Sequence, residues 1–135
     1  MIKKYLSLII LAVAVYSCGP EKKKAPVTDI EVANTFVRNL LDNDFKEAEQ
    51  YLLKDTTNLQ MFESFQKQYN RQNKDILDKY KEAEIIVNET SYVSDSVFIF
   101  NYSNSYKRAD KTTLKLVRPA DKWLVDLKYT FSGNL

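Results

Sequence analysis

The stretch Ser96–Tyr106, SVFIFNYSNSY, decides the fold. Val97, Phe98, Ile99, Phe100 and Tyr102 crowd into it, and β-branched and aromatic side chains of this kind suit a pleated, half-buried surface. Upstream, Glu82–Tyr92 carries Ile85, Ile86 and Val87, and Ser94-Asp95 is a turn candidate between the two runs. Downstream, Lys107–Lys111 forms a charged hairpin loop. Thr112–Val117 then alternates, with Leu114 and Leu116 on one face. Pro119–Lys122 is a turn with proline in a suitable place. Trp123, Val125, Leu127, Tyr129 and Phe131 follow at a period of 2, with Asp126, Lys128 and Thr130 on the other side. Four strands joined by short loops predict an antiparallel meander. The parity of Asp126 predicts the outer face.

Before Lys81 the apolar period is 3.6 rather than 2. Thr28-Asp-Ile-Glu31 has the capping-box pattern. Ile30, Ala33, Val37, Leu40 and Leu41 then mark a first helix over about 29–42, with Asn43 suited to its end. Asp44 caps a short second helix that faces Phe45, Ala48, Tyr51 and Leu52 one way. Phe62, Phe65, Tyr69, Gln72, Ile76 and Tyr80 share one stripe and predict a long third helix over about 58–80. A helix laid across a sheet needs such a stripe for its core face. The expected class is α+β, with three N-terminal helices packed on one face of a curved four-stranded antiparallel meander.

The N-terminus reads as an address. Met1-Ile-Lys-Lys4 is basic, Tyr5–Tyr16 is uncharged, and Ser17-Cys18-Gly19 offers small residues at a junction. Val15-Tyr-Ser-Cys18 resembles a bacterial lipobox. The resemblance implies a signal peptide over 1–17, and Cys18 as the mature first residue carrying acyl chains such as palmitate. Each buried CH₂ of such a chain adds about 0.8 kcal/mol of membrane affinity. Gly19-Pro20 rather than Asp after the cysteine implies the outer membrane of a diderm bacterium. Whether the periplasmic or the surface side is meant stays open. Residues 18–27 form a tether with Lys22–Lys24, and the domain is expected over 28–132.

Composition narrows the chemistry. The 135 residues include no His, one Cys and two Gly. These counts remove His-based triads, zinc sites of the HExxH or thiolate kind, CxxC redox chemistry and glycine-rich phosphate loops. Without Lys3 and Lys4 the chain has 18 basic and 18 acidic residues. A neutral chain has no long-range field for nucleic acid. Asp75, Asp78, Glu82 and Glu84 alternate with lysines and read as helix-face pairing. Asp42-Asn-Asp44 lacks the glycine and distal Glu of an EF-hand and reads as adjoining caps. No metal and no cofactor is expected.

FVRNLLDNDFKEAEQYL (Phe36–Leu52) and RPADKWLVDLKY (Arg118–Tyr129) resemble the opening and the last hairpin of the nuclear transport factor 2-like, or cystatin-like, superfamily. In particular the chain is similar to the small secreted lipoproteins of that fold found widely in Bacteroidetes-type bacteria. The resemblance covers about residues 28–131 and implies a cone-shaped domain that often pairs sheet to sheet. Enzymes of the superfamily use an Asp base in the cone or a His–Asp pair; the second is absent here, and no motif carries the first across. Tyr92, Phe100, Tyr102 and Tyr129 are the candidate cavity-lining residues. Ile99, Val117 and Leu124 lie among polar residues on the outward face, a candidate homodimer surface. The expected role is a non-catalytic binding or scaffolding module held in the envelope by its lipid. Alternatives are an enzyme or small-ligand binder using the cone cavity, and an inhibitor or immunity-type partner protein.

Overall fold

The computed structural model describes residue 19 and residues 26–130. The leader, Cys18, most of the tether and Phe131 lie outside the described residues. Helix α1 (Asp29–Leu41) opens on the expected capping box: Thr28 Oγ1 accepts from the Glu31 amide at 3.2 Å, and Glu31 Oε2 accepts from the Thr28 amide at 3.0 Å. Asn43 ends it in the left-handed region at φ 59°, where Asn is among the few residues that settle easily. The Asn43 amide bonds to Leu40 O, and the Asp44 amide to Asn39 O. These two bonds make a Schellman end.

One helix face enters the core: Val32, Ala33, Phe36, Val37, Leu40 and Leu41 are all buried. Ile30, expected on that face, is instead 44% exposed, while Asp29 is only 7% exposed. Each residue turns the helix by about 100°, so Asp29 falls in line with Val32 and Ala33. Its carboxylate accepts from the Ile30 amide at 2.6 Å and from the Tyr92 hydroxyl.

Asp44 caps the short α2 (Phe45–Glu49) and Asp55 caps α3 (Thr56–Asn70). The long third helix expected over about 58–80 is in fact two helices. Arg71 ends α3, and Asn73 starts α4 (Lys74–Glu82) by accepting from the Ile76 amide at 3.0 Å. Asn competes with helical hydrogen bonds for nearby backbone groups and so favours such a cap. The consequence is measurable in the rings. Residues eleven apart in one helix would be separated by about 16 Å along its axis. Tyr69 and Tyr80 instead touch, with centroids 5.6 Å apart.

Strands β1 (Ile85–Ser94), β2 (Val97–Asn104), β3 (Thr112–Val117) and β4 (Leu124–Asp126) pair in sequence order, all antiparallel. The class is therefore α+β with a four-stranded meander. Phe98, Phe100, Leu114, Leu116 and Val125 fill the inner face, and α1 packs against all four strands. Two register shifts in β1, at Val87/Glu89 and Tyr92/Ser94, interrupt this edge strand. Such irregularities blunt an edge against further pairing. The opposite edge is closed: Val125 N–H donates to Tyr51 O at 2.8 Å, and Leu53 N–H to Val125 O at 2.9 Å.

The last strand is shorter than its alternation predicts. After Asp126 the chain turns into α5 (Leu127–Thr130). Asp126 Oδ1 accepts from the Lys128 amide at 3.2 Å, and Asn58 Oδ1 takes the Leu127 amide at 2.7 Å. Side chains thus capture the two amides that a longer strand would have used. Asp126 keeps the outward parity expected of it, opposite Lys115, yet is covered there, at 6% exposure. It accepts from Asn58 Nδ2 at 3.2 Å and lies 3.6 Å from Lys128 Nζ and 3.9 Å from Lys115 Nζ. Asn58, fully buried, joins the start of α3 to this corner. Asn58→Ala strands the Leu127 amide and takes one of two donors from Asp126 Oδ1, which keeps the Lys128 amide; a buried polar group left unpaired costs about 1–3 kcal/mol. Urea unfolding should register a loss of that size or more. Asn88→Ala, on the exposed outward ladder, should stay within about 0.5 kcal/mol of the parent; equal losses at both sites would refute the role given to Asn58.

Candidate functional site

The C-terminal half of α1, the end of α3, α4 and the β2–β3 connection enclose a pocket of about 300 Å³. A volume near that figure suits a small ligand. Its wall is aromatic: Phe65, Tyr69, Tyr80 and Tyr102. Its rim is polar, with Gln68, Gln72, Asn104, Lys107, Asp110 and Thr112.

Local chemistry explains each wall. Phe45 sits against Phe62, Phe65 and Tyr69 at centroid distances of 5.5, 5.8 and 5.5 Å. That cluster fixes the inner side of α3. Arg38 secures α4 from the other side: its guanidinium donates to Ala83 O at 2.7 Å and Lys81 O at 2.9 Å, while pairing with Asp42 at 2.9 Å. Orphan carbonyls at a helix end are thereby satisfied by a cation, which the helix dipole favours. Asn104 Oδ1 accepts from the Tyr106 and Lys107 amides at 3.1 and 2.9 Å and shapes the loop. The Ser105 amide donates to Glu84 O at 2.9 Å and ties that loop to the exit of α4.

The mouth couples rings to cations. Tyr80 and Tyr106 meet edge to face at 5.1 Å. Lys107 Nζ lies 5.8 Å from the centroid of each, and Lys79 Nζ lies 5.5 Å from that of Tyr106. These are cation–π distances. A hydrogen bond to Tyr80 raises the Lys107 pKa above its ordinary value. Deeper in, burial pushes the Tyr102 hydroxyl up to about 12, a hydrogen bond with Thr112 acting the other way. Burial, then the neighbouring Tyr80, pushes Tyr69 up to about 12 as well; its hydroxyl donates to Leu41 O at 3.3 Å.

Of the four residues expected to line a cavity, Tyr102 does so. Phe100 is fully buried behind it, with ring centroids 5.9 Å apart. Tyr129 is half-buried in α5, away from the pocket lining. Tyr92 lies at the other end of the sheet, in a shallow groove with Val27, Thr28, Asp29, Asp95, Arg118 and Trp123. There Arg118 lies 5.1 Å over the Trp123 ring and donates to Asp95 O at 3.1 Å. The Tyr92 pKa is raised by its hydrogen bond to Asp29. Cys18, the expected lipidation site, lies outside the described residues. Among the described residues no group of three His, Cys, Asp or Glu is placed to hold a metal, and no helix is long and apolar enough to cross a membrane.

Sequence reasoning placed Phe65, Tyr69 and Tyr80 in the core stripe and missed their second surface. The signal was present in Gln72, an amide set into an otherwise aromatic row. No protein-family model, no curated protein and no solved structure matches the chain.

Ionisation of the wall is directly measurable. The unfolded chain ionises its tyrosines near 10, whereas folded Tyr69 and Tyr102 hold their protons to about 12. Their contribution to stability is complete below the unfolded value and is lost as pH rises toward 12. Ultraviolet titration should show Tyr69 and Tyr102 ionising late, and Tyr102→Phe should remove one of these steps. Simultaneous ionisation of all the tyrosines near 10 would contradict the buried wall.

Proposed function

We propose that the protein is an outer-membrane lipoprotein, anchored through Cys18, whose domain is a non-catalytic binding module. Its fold is read as the cystatin-like cone, with the helices before the meander forming one layer. The packing of α1 across every strand supports that reading. The observation that carries the function is the aromatic pocket with its ring of amides and Lys107. Flat apolar walls favour a ligand with a planar or apolar body, and the rim suits a polar or anionic end. The acid at the rim is Asp110, exposed on the loop. Buried Asp126 is held in its own cluster outside the pocket lining and is occupied with Asn58 and two lysines. A proton-abstracting enzyme would place beside the bound molecule a carboxylate shielded from water, and Asp110 is open to it.

The test is an amide NMR titration with the small-molecule fraction of a diderm envelope extract. Binding should shift the amides of Gln72, Tyr102, Asn104 and Lys107 and leave Ile99 and Val117 still, and Tyr80→Ala should weaken it by about tenfold, the order of one lost aromatic contact. Absence of any shift at the pocket would remove this reading.

A second reading uses the outward sheet face. Val97, Val117 and Leu124 align in one row across three strands, and Ile99 lies beside Lys115. Asn88, Asn101 and Thr113 make a polar ladder next to them, with bonds of 3.1 and 2.9 Å. An apolar row with a polar border is what a modest protein interface presents. If that face pairs two copies, the mass in solution is dimeric and Ile99→Lys returns it to monomer; a monomeric parent removes this second reading.

A further inference from the structure

We infer that the end of the domain where α1 begins is a lipid-contact surface, which rests on the bilayer and turns the pocket mouth away from it. The inference rests on the reading of Cys18 as a lipid anchor. Among the described residues, four of the six large exposed apolar side chains belong to this end: Val27 and Tyr92 at 64% exposure, Val93 at 69% and Ile30 at 44%. The other two, Leu59 and Val87, stand on α3 and near the start of β1. Tyr92 is held in place rather than loose, because its hydroxyl donates to Asp29 and its ring lies 5.0 Å from Phe98. A ring fixed at its polar tip and bare along its body suits the boundary between headgroups and acyl chains.

The charges around this end are mixed. Arg118 and Lys122 are exposed beside it, as are Asp95 and Asp121, while Asp29 is covered by Tyr92. Apolar contact is therefore the main attraction. Lys22–Lys24 of the tether supply the surplus of positive charge for anionic headgroups.

Chain length selects the occupant. Eight residue steps separate Cys18 from Pro26, and a fully extended chain spans at most about 28 Å over that distance. An anchored Cys18 thus keeps Pro26, where the domain begins, within that reach of the headgroups at all times. A surface tethered so closely meets lipid at an effective concentration that a diffusing partner does not match. The pocket lies at the other end of the same strand. β2 starts at Val97, beside this surface, and finishes at Asn104 on the pocket rim. Seven steps of strand make about 23 Å. Docking the apolar end on lipid therefore presents Lys107 and the aromatic mouth to the aqueous side.

The lipidated protein, purified from membranes and reconstituted in phosphatidylethanolamine–phosphatidylglycerol vesicles, provides the test. An environment-sensitive fluorophore is placed on Ser94→Cys, next to Val93, or on Arg108→Cys, at the pocket mouth. The Ser94 label should be blue-shifted and several-fold less quenched by acrylamide than the Arg108 label. Adding Val27→Asp and Val93→Asp should restore its quenching while the protein still floats with the vesicles. Equal quenching of both labels on floating protein overturns the lipid-contact surface and leaves the anchor standing. Failure to float overturns the anchor, and this inference with it. Shielding that grows with protein density on the vesicle identifies a second copy as the occupant and also overturns it.

Discussion

The return of α4 onto α1 and α3 is the constraint from which the rest of this structure follows. Two unlike interactions hold it. Tyr80 closes on Tyr69 at the inner side of the helix, and the Arg38 guanidinium grips the Lys81 and Ala83 carbonyls at its outer end. The first is apolar and roughly proportional to area removed from water. The second is charge-assisted and directional. Together they close one side of a pocket whose other side is β2 and its following loop. A straight helix through residues 71–73 would carry Tyr80 away from Tyr69 and leave that side open.

A continuous file of rings connects this constraint to the interior. Phe36, buried in the sheet-facing side of α1, touches Phe62 at 6.3 Å, and Phe62 touches Phe45. Phe45 leads to Tyr69, Tyr69 to Tyr80 and Tyr80 to Tyr106 at the mouth. Burial falls along this file while polar handles appear, so phenylalanine gives way to tyrosine where water begins. The pocket is the place where the core runs out of apolar cover, and the amides and lysines around it complete the boundary.

Much of the scaffold was legible because it rests on local rules. The capping box at Thr28 and the Asn43 turn follow from residue type and spacing alone. So do the Asp44 cap and the order of four strands. What was not legible depends on long-range partners. One stripe from Phe62 to Tyr80 fits a straight helix and a broken one equally well; the difference lies in Asn73 acting as a cap. The alternation from Trp123 to Phe131 reads as a strand until Asn58, sixty-nine residues earlier, takes the Leu127 amide. Tyr92 and Tyr102 look alike in the sequence, yet β1 and β2 carry them to opposite ends of the sheet. Only Tyr102 reaches the pocket, and Tyr92 is spent on Asp29.

The break between α3 and α4 is thus what the pocket, the aromatic file and the outward-facing mouth all require. Nuclear Overhauser contacts of the folded domain test it most directly. Cross-peaks between the rings of Tyr69 and Tyr80, with the helical amide-to-amide pattern interrupted at Gln72 and Asn73, are the predicted result. An unbroken helical pattern from Asn70 to Lys74, with no contact between the two rings, would contradict it.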